Sequence, residues 1–221
     1  APLFLFCTVE GFAHTHDRKR YFLRIWAIAT AMGTVEFFMI YAHALRRGDD
    51  FYPANAIFQQ FMLLCIIWQG IDWLRQRRFG MGLLAVLLPV AWPFLVVALL
   101  SAFPQINQMP VASTVISYLI SAPLPMWSNI TDGGWAYLLE GILLYALYPH
   151  KRLRLVVWAA ATFLLEFVFV YLQLRGTPGF MFSQMFTTYY EWFSFFAVVL
   201  TALYNGQRGS GHKLLFYWFY P

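Results

Sequence analysis

Long apolar runs alternate along the chain with short clusters of charged residues. Runs with few or no charges, each close to the roughly 20 residues that one bilayer crossing needs, lie at residues 21–44, 55–74, 80–103, 133–149, 153–174 and 180–204. Partial spans at 1–13 and 214–221 flank them. None shows the polar/apolar alternation of a barrel strand, and otherwise only helices satisfy their own backbone inside lipid. The pattern predicts an all-α polytopic bundle, a single integral-membrane domain over 1–221. A start inside an apolar run and a finish at Tyr220–Pro221 read as a chain cut at both ends.

Residues 104–132 are harder to assign, because Val111 to Leu124 is apolar but short and is surrounded by Pro104, Pro110, Pro123 and Pro125. Charge arbitrates. If this segment does not cross, the loops near residues 18–24, 75–78, 151–154 and 208–213 share one side and hold every Lys and Arg except Arg46, Arg47 and Arg175. If it does cross, the asymmetry expected of cytoplasmic loops disappears. The segment is therefore expected to be a re-entrant or interfacial hairpin, with the His14 loop of a multi-pass membrane protein in the cytoplasm.

Composition agrees: 61% of residues are hydrophobic and 11% charged, against about a quarter charged in soluble domains. The bilayer is thus the first expected partner. A net charge of +5 does not point to nucleic acid, since the basic residues sit in short clusters between apolar runs. Cys7 and Cys65 lie in apolar stretches without zinc-site spacing, so no metal is expected. G-x-S-x-G, P-loop, H-E-x-x-H and G-x-G-x-x-G motifs are absent.

Chemistry, if any, falls to polar groups inside the spans. Glu10, Glu36, Glu140, Glu166 and Glu191 all do so, where an ionised side chain costs a few kcal/mol. Each is either functional or a packing partner within the bundle. Glu10, His14 and Arg18 are four apart and share one face of a continuous helix. A carboxylate one turn from an imidazole can accept its N–H and fix its tautomer, as a general base requires, and Arg18 would stand where an anion docks. The plainer alternative is a histidine snorkelling to the headgroup boundary. Glu36, His43 and Arg47 form a similar stripe, and Asn55, Gln59 and Gln60 open the next span.

The residues carry a resemblance. Pro2 to Tyr21 reads P-L-F-L-F-C-T-V-E-G-F-A-H-T-H-D-R-K-R-Y. It is similar to the signature of the TraX family of bacterial membrane proteins, which tends to read F-P-I-F-x-F-L-x-V-E-G-F-x-H-T-R-N-x-x-K-Y. Glu36, Asn55 before Phe58, Asp132 with Gly134, then L-Y-N-G-Q-R-G at 203–209 and K-L-L-F-Y-W-F-Y-P at 213–221 follow in order. Residues 104–131 look like an insertion. Where the family has Asp-Tyr-Gly-x-x-Gly, this chain reads Asp132-Gly133-Gly134-Trp135-Ala136-Tyr137.

The resemblance implies an acetyl- or acyltransferase that draws on cytoplasmic acetyl-CoA or another acyl-CoA, with a pilin-like protein N-terminus as acceptor. It also implies that an Asp-His pair of the family would precede Ala1 and a further His would follow Pro221. Under this reading Glu10 and His14 are catalytic. Arg18, Lys19, Arg20, Arg208 and Lys213 hold the CoA phosphates, and Glu36, Asn55, Asp132, Asn205 and Tyr220 line the donor or acceptor site. A proton-coupled transporter and a non-catalytic assembly protein are the alternatives.

Overall fold

The structure, a computed structural model, describes residues 2–41, 56–130 and 134–204. No described residue lies in a strand. The helices are α1 Pro2–His14, α2 Arg18–Tyr41, α3 Ile57–Arg75, α4 Phe79–Ser101, α5 Pro104–Asn107, α6 Pro110–Ser121, α7 Gly134–Ala146, α8 Lys151–Leu174, α9 Gln184–Thr187 and α10 Phe196–Ala202. The middle of α8, Phe163–Phe169, is wound as a π-helix.

Among the described residues, four helices are long and apolar enough to cross a membrane: residues Arg18–Met39 of α2, all of α3, all of α4, and α8. The other two expected spans look different. Within the expected span 133–149 the helix is α7, whose 13 residues reach about 20 Å, short of the roughly 30 Å hydrocarbon core. Residues 180–204 break into α9, a 3₁₀ turn at Tyr190–Phe195, and α10. The indole N–H of Trp192 takes the carbonyl of Met185 at 2.7 Å, and Trp192 packs edge-on against Phe167 and Phe186. The aromatic cluster thus engages backbone that a straight helix would need. The partial span at 214–221 lies outside the described residues.

Helix α3 is the hub and packs on α1, α2, α4 and α7. Its Leu63, Leu64, Ile67 and Trp68 are fully enclosed, together with Leu5 and Val9 of α1, Leu144 of α7 and Trp158 of α8. In lipid such contacts gain little from the hydrophobic effect, so close packing and hydrogen bonds between helices must hold the bundle. Both are present. The Trp68 indole donates to the carbonyl of Gly141 at 2.9 Å, and the Gln60 amide donates to the carbonyl of Gly134. A Cβ on Gly141 would lie 2.6 Å from the methyls of Leu64, so glycine there sets the approach of α7 to α3. The outward faces are apolar: Leu84, Leu87 and Phe94 of α4 and Val156 and Leu164 of α8 are exposed.

Side-chain contacts fix which ends meet. Arg18 at the start of α2 bonds Asp72 near the end of α3, and Arg75 donates to the carbonyl of Ala146 at the end of α7. Arg154 at the start of α8 bonds Glu10, and Lys151 donates to the carbonyl of Tyr204 after α10. These contacts bring Arg18, Arg75, Lys151 and Arg154 to one end of the bundle. The segment between α4 and α7 starts and finishes at the opposite end. There α6 runs down beside α2: Tyr118 meets Thr34 at 2.6 Å, Thr30 donates to the carbonyl of Ala122, and Trp26 to that of Pro123. The chain then turns back through Trp127–Asn129 to Gly134.

Candidate functional site

Helix α1 ends at His14 and α2 starts at Arg18, so the face shared by Glu10 and His14 does not continue to Arg18. Asp17 causes the break. Its side chain accepts the backbone N–H of Arg20 at 3.0 Å, an N-cap for α2 three residues on. The T-H-D-R sequence before an apolar run carried that signal, and it separates two polar clusters that a continuous helix would have merged.

The first cluster surrounds Glu10, which is 9% exposed. Arg154 Nη1 donates to its Oε1 at 2.9 Å, and the hydroxyl of Tyr148 donates to its Oε2 at 3.1 Å. Arg154, itself 5% exposed, lies between the rings of Phe6 and Tyr148, with its Cζ 5.1 and 4.9 Å from their centroids. The Tyr148 hydroxyl is also 2.9 Å from His14 Nε2, which is 3.5 Å from Glu10 Oε2. The His14 side chain is 64% exposed. A phenol has one proton. If Tyr148 gives it to Glu10, then His14 must donate Nε2–H to the phenol oxygen, and the lone pair of Nδ1 remains available. Glu10 thus orients His14 through Tyr148 as well as from one turn away.

The second cluster surrounds Asp72. Arg18 and the Tyr145 hydroxyl both donate to its Oδ2, the latter at 2.7 Å, and Arg75 donates to Oδ1 at 3.2 Å. Rings connect the two clusters: Phe12 packs edge-on against Tyr145 at 5.5 Å, and Tyr145 is 6.3 Å from Tyr148. Arg18 is therefore held by a carboxylate before any anion arrives. Arg20 pairs with Asp17 at 3.0 Å on the surface, and Lys19 is exposed.

Glu36 stands elsewhere. It lines a half-polar cleft of about 300 Å³ with Gln59, Thr114, Ser117 and Tyr118, eighteen positions along α2 from Arg18, or about 27 Å along the helix axis. The structure does not bring it to His14. Asn55, Asp132, Asn205, Arg208, Lys213 and Tyr220, like His43 and Arg47, lie outside the described residues. Glu140 is a packing partner: its carboxylate accepts the Trp158 indole at 3.1 Å and the Thr162 hydroxyl at 2.7 Å. No group of three or more His, Cys, Asp or Glu side chains among the described residues is placed to hold a metal ion.

Sequence reasoning made Glu10 and His14 neighbours, as they are here, and did not single out Tyr148, Arg154, Asp72, Tyr145 or Arg75. For Arg75 and Asp72 an i, i+3 spacing at a helix end was readable. For Tyr148 and Arg154 no local signal exists. Comparison of the chain with protein families, curated proteins and solved structures finds no match.

Proposed function

We propose that the protein is an integral-membrane acyltransferase that moves an acyl group from acetyl-CoA or another acyl-CoA to an amine or hydroxyl acceptor. The family resemblance favours the N-terminus of a pilin-like protein. The reading includes six crossings of a bacterial inner membrane, with the cationic end in the cytoplasm where acyl-CoA is present.

The observation that carries it is the linkage of Glu10, Tyr148 and His14 at that cationic end. His14 is exposed, its Nε2 is engaged, and its Nδ1 can take a proton. In the reaction the acceptor nitrogen or oxygen attacks the thioester carbonyl and the C–S bond breaks. The acceptor proton passes to His14 Nδ1 and from there to the departing CoA thiolate. Arg20, exposed at the same end, attracts the CoA phosphates. Arg18 fastens α2 to α3 through Asp72.

Membranes containing the full-length protein, supplied with radiolabelled acetyl-CoA and a peptide with a free N-terminus, test the proposal. Transfer should fall at least a hundredfold in His14→Ala and in Glu10→Gln, with both variants still inserted. Full transfer by both would remove the assignment.

A further inference from the structure

We propose that a crevice lined by α2 and α3, with Phe12 of α1 and Ala85 of α4 at its edges, binds an anionic membrane phospholipid, with part of one acyl chain inside and the phosphate against Lys19 and Arg18. The crevice encloses about 310 Å³, with Phe12, Phe22, Ile66 and Trp73 among its walls and Arg18 and Lys19 as its cations. That combination, an apolar chamber beside paired cations, matches an amphiphile with one negative end. Its volume is at the lower limit of ligand sites, enough for part of one chain while the remainder and the second chain stay in the bilayer.

The surroundings indicate where the occupant comes from. Leu23 of α2 and Leu83 and Leu84 of α4 are exposed on the flanking helices, so the crevice sits among lipid-facing surfaces. Arg77, Arg78 and Lys19 lie at the same end and favour an anionic leaflet, as basic pockets between membrane helices do. Arg18 retains donors beyond the one bound to Asp72, so it can share a phosphate with Lys19.

The crevice is distinct from the Glu10 cluster. Phe12 and His14 are two positions apart on α1, so they point about 200° apart around the helix. An acyl chain lying against Phe12 is on the far side of α1 from His14. The inference therefore does not rest on acyl transfer at His14.

The test uses the full-length protein, purified in mild detergent and stripped of lipid, with binding of phosphatidylglycerol and phosphatidylcholine measured by native mass spectrometry. Phosphatidylglycerol should bind at least tenfold more tightly. Lys19→Gln, a surface change, should reduce that preference to threefold or less, and Ile66→Trp should close the crevice and lower phosphatidylglycerol binding at least tenfold. Equal binding of the two lipids, or undiminished phosphatidylglycerol binding by Lys19→Gln, would overturn the proposal even if Ile66→Trp fails to fold. Displacement of phosphatidylglycerol by equimolar palmitoyl-CoA would also overturn it and give the crevice to an acyl donor.

Discussion

Arg154 stands 144 positions from Glu10 in the chain and donates a 2.9 Å hydrogen bond to its Oε1 between two aromatic rings. Both side chains are nearly enclosed, so each is the other's main compensation for leaving water. Removing one partner of a buried pair leaves the other charge stranded, at a cost of about 3 kcal/mol or more. Arg154→Met should lower stability by that amount in a detergent unfolding titration. The double variant Glu10→Gln/Arg154→Met should recover at least half of the loss. If both variants unfold at the same point, the two residues are not coupled.

Tyr148 joins the carboxylate to the imidazole, and it is only half-buried. Tyr148→Phe keeps the ring over Arg154 and deletes the hydroxyl. Under the proposed function, acyl transfer should drop by about a hundredfold, the usual scale of an acid–base contribution, while the unfolding midpoint moves little. A rate within twofold of the parent would mean that Glu10 orients His14 without Tyr148.

Asp72 accepts from Arg18, Arg75 and Tyr145 and so ties α2, α3 and α7 at one end. Arg18 and Arg75 keep partial contact with water, which screens the loss, so Asp72→Asn should cost about 2 kcal/mol, less than opening the Glu10 pair. Tyr145→Phe should cost about 1 kcal/mol. The same unfolding titration ranks them, and an Asp72→Asn variant as stable as the parent would show that the cluster holds nothing.

Gly82 and Gly70 let α3 and α4 come close. A Cβ on Gly82 would lie 2.9 Å from the backbone nitrogen of Leu74, and one on Gly70 would lie 3.0 Å from the carbonyl oxygen of Gly82. Backbone cannot step aside, so Gly82→Ala should push the helices apart and cost about 1–3 kcal/mol. Gly80 has nothing within 4 Å of its added Cβ, and Gly80→Ala should be neutral or slightly stabilising. Equal effects at the two positions would count against close packing as the basis of this helix pair.

Helical class was legible because it depends on composition summed over many residues: apolar runs set the helices. Glu10 and His14 were legible because helix geometry alone makes them neighbours. Arg154 and Tyr148 were not, because their approach to Glu10 depends on how α1, α7 and α8 pack, and no spacing within one segment records that. Arg18 was misplaced for a local reason: Asp17 caps α2 and turns it away from the Glu10 face. The stretch 180–204 was equally apolar as a run or as pieces, and only the capture of the Met185 carbonyl by Trp192 distinguishes the two.

The placement of α3 bears on how the protein is made. This helix carries Gln59, Gln60, Gln69 and Asp72 and occupies the centre, whereas α4 is strongly apolar and faces outward. A segment with that polar content partitions weakly into lipid by itself. It leaves the ribosome before α4 does, separated from it by only Gln76, Arg77 and Arg78, with Arg77 in the left-handed region at φ 62°. The two must therefore enter the bilayer as a pair, the later helix securing the earlier one, and a polar substitution on the outer face of α4 should register first as failed insertion of α3.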